Sequence, residues 1–123
     1  MIKEVAFVAI AVSDAERARK FYQETLELKP ESTQMGGAWV EYDLGGTTIG
    51  VGCHPAWQPS RDGTTVAFEV DDIDATIEEL KSRGVTFDMP KTETPVCWMA
   101  QFRDPDGNNS WCTNGRRALR AGK

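Results

Sequence analysis

Val8-Ala9-Ile10-Ala11-Val12-Ser13-Asp14 and Val66-Ala67-Phe68-Glu69-Val70-Asp71-Asp72 align without a gap, and each runs straight into a helical pattern. A second correspondence follows in each half. Trp39 to Val51 echoes Trp98 to Cys112, each with a glycine-bearing turn in its middle (Gly45-Gly46 and Pro105-Asp106-Gly107). Self-similarity at a long period identifies the building unit of a fold before any residue is given a role. Here the unit reads strand, helix, then two or three further strands, and the 123 residues hold two copies. That length suits one domain of ordinary size, able to bury roughly two-thirds of the surface its unfolded chain exposes.

Local patterns place the elements. Residues 5–12 alternate and are β-rich, which predicts a strand. Ser13 and Glu16 have capping-box spacing, and Ala15, Ala18, Phe21, Tyr22, Thr25 and Leu26 recur at helical spacing, so a helix is expected over 14–27, ended by Pro30. Strands 38–44 and 47–53 flank Gly45-Gly46. In the second copy a strand over 64–70 leads to Asp72 as a helix cap. Ile73, Ile77 and Leu80 form the buried stripe of that helix, and Gly84 stops it. Val85 to Phe87 reads as a short strand, and 96–103 and 108–114 as a hairpin around Asp104-Pro105-Asp106-Gly107. The expected organisation is module 1 over 4–54, a Pro- and Gly-bearing link over 55–63, module 2 over 64–114 and a basic tail over 115–123.

Charge and composition narrow the partners. A net charge of −5 argues against a nucleic-acid backbone and mildly favours neutral or cationic small ligands, although solubility alone explains it as well. No window is long and apolar enough to span a bilayer, and the opening Met1-Ile2-Lys3-Glu4-Val5 carries no secretory pattern. Cys53, Cys97 and Cys112 are an odd set without metal-like spacing, which fits free thiols in a reducing cytoplasm.

A helix that follows a strand lays its apolar stripe on the sheet, so each copy has one covered and one uncovered sheet face. Val8, Ile10 and Val12, and in the repeat Val66, Phe68 and Val70, face the helices. Phe7, Ala9 and Ala11, and Thr65, Ala67 and Glu69, face the other way. The same parity separates Cys97 from Cys112 and predicts no disulfide between them.

The arrangement is similar to the vicinal oxygen chelate superfamily of glyoxalase I, extradiol dioxygenases, and bleomycin- and fosfomycin-resistance proteins. The resemblance runs from Val5 to Thr113. It is carried by Val12-Ser13-Asp14 with Arg19-Lys20-Phe21-Tyr22, by Val70-Asp71-Asp72-Ile73, and by Phe102-Arg103-Asp104-Pro105-Asp106-Gly107-Asn108. It implies an α+β fold in which two βαβββ modules form curved mixed sheets around a cavity. In the family's metalloenzymes four inward side chains, His or Gln and Glu, then His and Glu, hold a divalent ion. Carried over, those positions fall on Phe7, Gly50, Thr65 and Trp111. Hard divalent cations need carboxylate or imidazole donors, and Phe, Gly and Trp have none. The expectation is therefore no metal and no cofactor, and no chemistry that uses an ion as Lewis acid.

What remains is a cavity with a changed lining. Parity assigns it Phe7, Ala9, Gly50, Gly52, Thr65, Ala67, Met99, Gln101 and Trp111, with Glu69, His54 and Cys97 nearer the ends. Gly50 and Gly52 either free space for a ligand or mark a close backbone approach. Trp111 stacks on a ligand or fills the cavity, and Phe7 leans toward packing. Trp98, taken as the repeat partner of Trp39, faces the helix and reads as core. Glu69 could attract a cation or act as a base; its plainer reading is a rim carboxylate paired with Arg103. His54 reads first as a surface loop residue, with proton transfer as its functional alternative. No Ser-His-Asp set, phosphate loop or paired carboxylates assemble from the spacings. The reading is a metal-independent protein that binds a partly aromatic or apolar small molecule, with sequestration of the kind the bleomycin-resistance branch performs. Its alternative is a lyase or isomerase using Glu69, His54 or Gln101 as acid or base. The resemblance also implies a homodimer, closed or with exchanged halves.

Overall fold

The structure, a computed structural model, describes residues 1, 3, 5–95 and 97–114; the basic tail over 115–123 lies outside the described residues. The chain divides into two compact units, Met1–Ser60 and Arg61–Lys123. Unit 1 holds β1 (Val8–Ala11), α1 (Ala15–Arg19) continuing as a π-helix over Lys20–Thr25, β2 (Ser32–Gln34), a 3-10 turn over Met35–Gly37, β3 (Trp39–Leu44) and β4 (Thr47–Gly52). Unit 2 holds β5 (Val66–Glu69), α2 (Ile73–Ser82), β6 (Phe87–Glu93), β7 (Trp98–Arg103) and β8 (Asn109–Asn114). Each unit has one four-stranded mixed sheet, in the orders β1-β4-β3-β2 and β5-β8-β7-β6, with the first strand parallel to the last and the rest antiparallel. The expected α+β class with two βαβββ modules is the observed one. Among the described residues no helix is long and apolar enough to cross a membrane.

The repeat extends to the backbone angles that start each helix. Asp14 (φ −142, ψ 104) and Asp72 (φ −142, ψ 103) are the two N-caps. Their side chains accept the N–H of Arg17 at 3.0 Å and of Ala75 at 3.1 Å, filling one orphan donor of each first turn. The capping box expected to begin at Ser13 is thus displaced by one residue, and the Ser13 hydroxyl instead accepts from the Arg17 guanidinium at 3.2 Å. The regular helix expected over 14–27 is also corrected. After five α-helical residues the chain widens to a π-helix. The extra residue per turn brings Phe21 and Tyr22 inward together, with ring centroids 5.2 Å apart. Gln23 then donates to the Tyr42 hydroxyl at 3.1 Å, satisfying a phenol whose burial raises its pKa. Apolar spacing reports which side of a helix is buried, not how many residues make a turn.

Strand parity sorts the rest. On the helix side of unit 1, Ile10, Val12, Val40, Tyr42, Ile49 and Val51 are buried with Ala18, Phe21 and Tyr22. In unit 2, Ile73, Ile77 and Leu80 are the buried stripe of α2, and Ala100, Phe102, Ser110 and Cys112 are buried on the helix side of the sheet. Cys112 lies on that helix side and all three cysteines are free. Two strands depart from expectation. β2 was not foreseen, and β6 runs to Glu93 through two bulges instead of stopping at Phe87.

Trp98 corrects the core reading. It has the parity of Ala100 and Phe102 but stands at the end of β7, opposite Asn114. It is 40% exposed, with the Lys91 ammonium 4.7 Å from its ring centroid. It is not the counterpart of Trp39 either. Trp39 pairs with Gly52, which sits beside Ala11, whereas Met99 pairs with Thr113, which sits beside Glu69. Trp39 therefore matches Met99. The offset arises at the hairpins: Leu44 and Thr47 close a two-residue turn, while Arg103 and Asn109 close a longer one.

That longer turn is built on Asp104, which is 4% exposed. Its Oδ1 accepts the N–H groups of Asp106 and Asn108, and its Oδ2 accepts from the Asn108 amide, all at 2.9 Å. Asp104→Ala strands these donors and is expected to cost about 2–4 kcal/mol, read as a lowered urea midpoint at unchanged slope. Burial pushes the Cys112 thiol up to about 11, keeping it protonated and unreactive near neutrality. A thiol reagent at mildly alkaline pH should therefore label half-buried Cys53 and Cys97 in the native protein, and Cys112 after unfolding; rapid native labelling of Cys112 contradicts its placement.

Candidate functional site

The helix-free face of unit 1 is built from two rows across β1, β4 and β3. Ala9, Gly50 and Glu41 form one row, and Ala11, Gly52 and Trp39 the next. The Trp39 indole lies flat on the two glycines. A Cβ at position 50 would fall 2.3 Å from Trp39 Cζ2, and one at position 52 would fall 2.6 Å from Trp39 Cε3 and 2.7 Å from Trp57 Cζ3. The close-approach reading of these glycines is the one the geometry supports, and the idea that they leave open space is corrected: Trp39 takes that space. Phe7, 46% exposed, meets Trp39 edge-on at 5.4 Å, and Trp57 sits 6.4 Å from it at 34°.

Two further contacts hold this aromatic group. The Trp39 Nε1–H donates to Glu41 Oε2 at 2.8 Å, two residues along the same strand and on the same face. Trp57 is set by a small turn in which its N–H donates to the His54 carbonyl at 2.9 Å and the Ala56 N–H donates to His54 Nδ1 at 3.1 Å. His54 is exposed and one ring nitrogen serves this turn.

In unit 2 the helix-free face carries Ala67, Trp111 and Gln101 in one row and Glu69, Thr113 and Met99 in the next. Thr65 accepts from the Asn109 amide at 2.8 Å, and Thr113 donates to exposed Glu69 at 3.1 Å. Met99 is buried and Gln101 is half-buried, its amide 3.4 Å from Asp88. Arg103 corrects the expected pairing with Glu69. Its Nε donates to Asp88 at 2.6 Å and its Nη1 to the Arg61 and Gly107 carbonyls. The reason is reach across adjacent strands: β6 and β7 are neighbours, whereas β8 separates Glu69 from β7. The Arg103 hydrogen bond holds the Asp88 carboxyl below the usual range, with help from Arg61 at 3.7 Å.

Two buried polar atoms on this face lack a hydrogen-bond partner among the described residues, Trp111 Nε1 and Asn109 Oδ1. One is a donor and the other an acceptor, and they stand two residues apart on the same side of β8.

Phe7 and Gly50 thus share a face in unit 1, and Thr65 and Trp111 share one in unit 2. These four residues include neither a carboxylate nor an imidazole, and Trp39 covers Gly50. Among the described residues no group of three or more His, Cys, Asp or Glu comes together to hold an ion. The donor set does not fit a divalent cation. Sequence reasoning passed over Glu41, Trp57, Asn109 and Asp88. Parity carried along β3 from Trp39 reaches Glu41, and along β8 from Trp111 reaches Asn109. Trp57, in a Pro-flanked loop, leaves no periodic trace.

Two βαβββ units, each with a parallel edge strand and one helix-free sheet face, define a paired-module, glyoxalase-type architecture. The chain belongs to the Glyoxalase/Bleomycin resistance protein/Dioxygenase superfamily, whose family model matches residues 4–111. It is 27% identical over 114 residues to the uncharacterized protein YetH of Bacillus subtilis, covering 88% of this chain and 95% of that relative. Among solved structures it is similar to TnmS3, an antibiotic binding protein from Streptomyces sp. CB03234, at 29% identity and a TM-score of 0.76, covering 92% of this chain and 96% of that one. A glyoxalase/bleomycin resistance protein from the same Streptomyces strain matches at 30% identity and a TM-score of 0.71, covering 87% of this chain and 96% of that one.

Because the Trp39 footprint fills the space above Gly50, Gly50→Ala is expected to cost about 1–3 kcal/mol. In a Trp39→Ala background the same change should cost much less. Urea unfolding of the four proteins in the cycle measures this, and additive effects would show that the indole does not rest on that glycine.

Proposed function

We propose that the protein binds a small, partly aromatic or apolar molecule on the helix-free faces of its sheets, without a metal, and holds it unchanged. The observation that carries this reading is the donor of Trp111 and the acceptor of Asn109, unpaired among the described residues and on the face that carries Thr65 and Gln101. Each buried polar atom without a partner costs on the order of 1–3 kcal/mol, and a ligand with one acceptor and one donor removes both costs. The contact residues are Phe7, Thr65, Glu69, Met99, Gln101 and Trp111, with Gly50 and Gly52 serving as the floor beneath Trp39. Similarity to an antibiotic binding protein supports a drug or drug-like metabolite as the ligand. A cytoplasmic homodimer is part of the same proposal.

Holding is favoured over turnover because the groups suited to acid-base work, Glu69 and His54, are exposed instead of enclosed. The Glu69 carboxylate accepts from Thr113, and His54 Nδ1 accepts within its own turn. The test is equilibrium binding to a panel of aromatic antibiotics by fluorescence quenching, with mass spectrometry of the compound afterwards. Expected are saturable binding, recovery of intact compound, a loss of about tenfold or more in Trp111→Ala, in line with a buried aromatic anchor, and no change on adding Ni²⁺ or Zn²⁺. Conversion of a compound that stops in Glu69→Gln would replace this reading with the lyase or isomerase one.

A further inference from the structure

We propose that the helix-free face of unit 1 takes an organic cation, an ammonium-bearing group seated among Phe7, Trp39 and Trp57 with Glu41 as its counter-charge. The inference rests on reading these faces as ligand surfaces and adds the charge class of what they hold.

One carboxylate of this face lacks a counterion among the described residues. Glu41 is half-buried in the middle of β3, and its side chain accepts one hydrogen bond, from the uncharged Trp39 indole. Among the described residues it makes no ion pair. Asp88 of unit 2, by contrast, faces Arg103 and Arg61. A partly desolvated charge without an opposite charge is costly unless a partner supplies one.

The surroundings select which cation. Aromatic faces present negative potential, so Phe7, Trp39 and Trp57 add to the attraction that Glu41 exerts. One carboxylate among indoles is too few oxygen donors for Ca²⁺ or Mg²⁺. A quaternary alkylammonium differs, because its charge is spread under an apolar shell that packs against rings. The group is also preorganised. The glycine floor closes one side of Trp39, Glu41 fixes its Nε1, and the His54 turn sets Trp57. Rigid rings lose little freedom on binding.

The probes are phenyltrimethylammonium, and choline set against its neutral isostere 3,3-dimethylbutan-1-ol, each titrated to about 10 mM. Tryptophan fluorescence and the indole N–H resonance of Trp39 are the readouts. Expected are saturable binding of phenyltrimethylammonium, choline binding more tightly than its isostere, and weakening of both cations by added salt. Glu41→Gln keeps an oxygen for the indole and removes the charge, so it should weaken phenyltrimethylammonium about tenfold and leave the isostere unaffected. Trp57→Ala should weaken both cations while the far-ultraviolet circular dichroism stays native. Equal binding of choline and its isostere, absence of saturation, or an unaltered affinity in Glu41→Gln overturns the proposal. The antibiotic panel keeps the two readings apart: neutral aromatic compounds that bind through Trp111 while cations do not would sink this inference and leave the proposed function standing.

Discussion

A strand that turns one residue toward a helix must turn the next one away, and with one helix per sheet that second set has no cover of its own kind. Most of the candidate site lies on that second set. Val40, Tyr42, Ile49 and Val51 make a core, and their neighbours Trp39, Glu41, Gly50 and Gly52 make a surface with a carboxylate, an indole and a bare backbone floor. The alternation therefore generates stability and a candidate site from the same two strands, with neither trading residues with the other.

The two units have used that surface differently. In unit 1 an indole N–H meets a carboxylate, and aromatic rings crowd over glycine. In unit 2 the position across from Trp111 is Gln101, the counterpart of Glu41, and the Trp111 N–H is left without a partner among the described residues. The carboxylate near Gln101 is Asp88 on the neighbouring strand, and it is paired with Arg103. A duplicated frame thus presents one face on which a carboxylate meets an indole N–H, and another on which a carboxylate meets a hydroxyl and an indole N–H stays unmatched among the described residues.

Much of this was legible in the residues. Gapless repetition announced the two modules, Asp72 announced its helix, and period-two alternation sorted Ile10 from Ala9 and Phe68 from Ala67. The failures have physical causes. Trp39 and Trp98 look equivalent in sequence, but hairpins of different length shift one against the other by a residue, and a one-residue shift in a strand exchanges faces. Trp98 shows that parity assigns a side without guaranteeing that anything covers it. The π-helix at Lys20–Thr25 keeps the apolar stripe that an α-helix would show. The Arg103–Asp88 pair and the place of Trp57 depend on which strands are neighbours and how a loop folds back, and no local pattern encodes either.

The footprint of Trp39 has one more implication. Because a single ring overlies two backbone positions, residues 39, 50 and 52 are coupled: a larger residue at either glycine forces the indole to shift or strains the sheet beneath it. A side chain added at position 50 would need the space the indole now fills, so what position 50 can carry is tied to what stands at position 39.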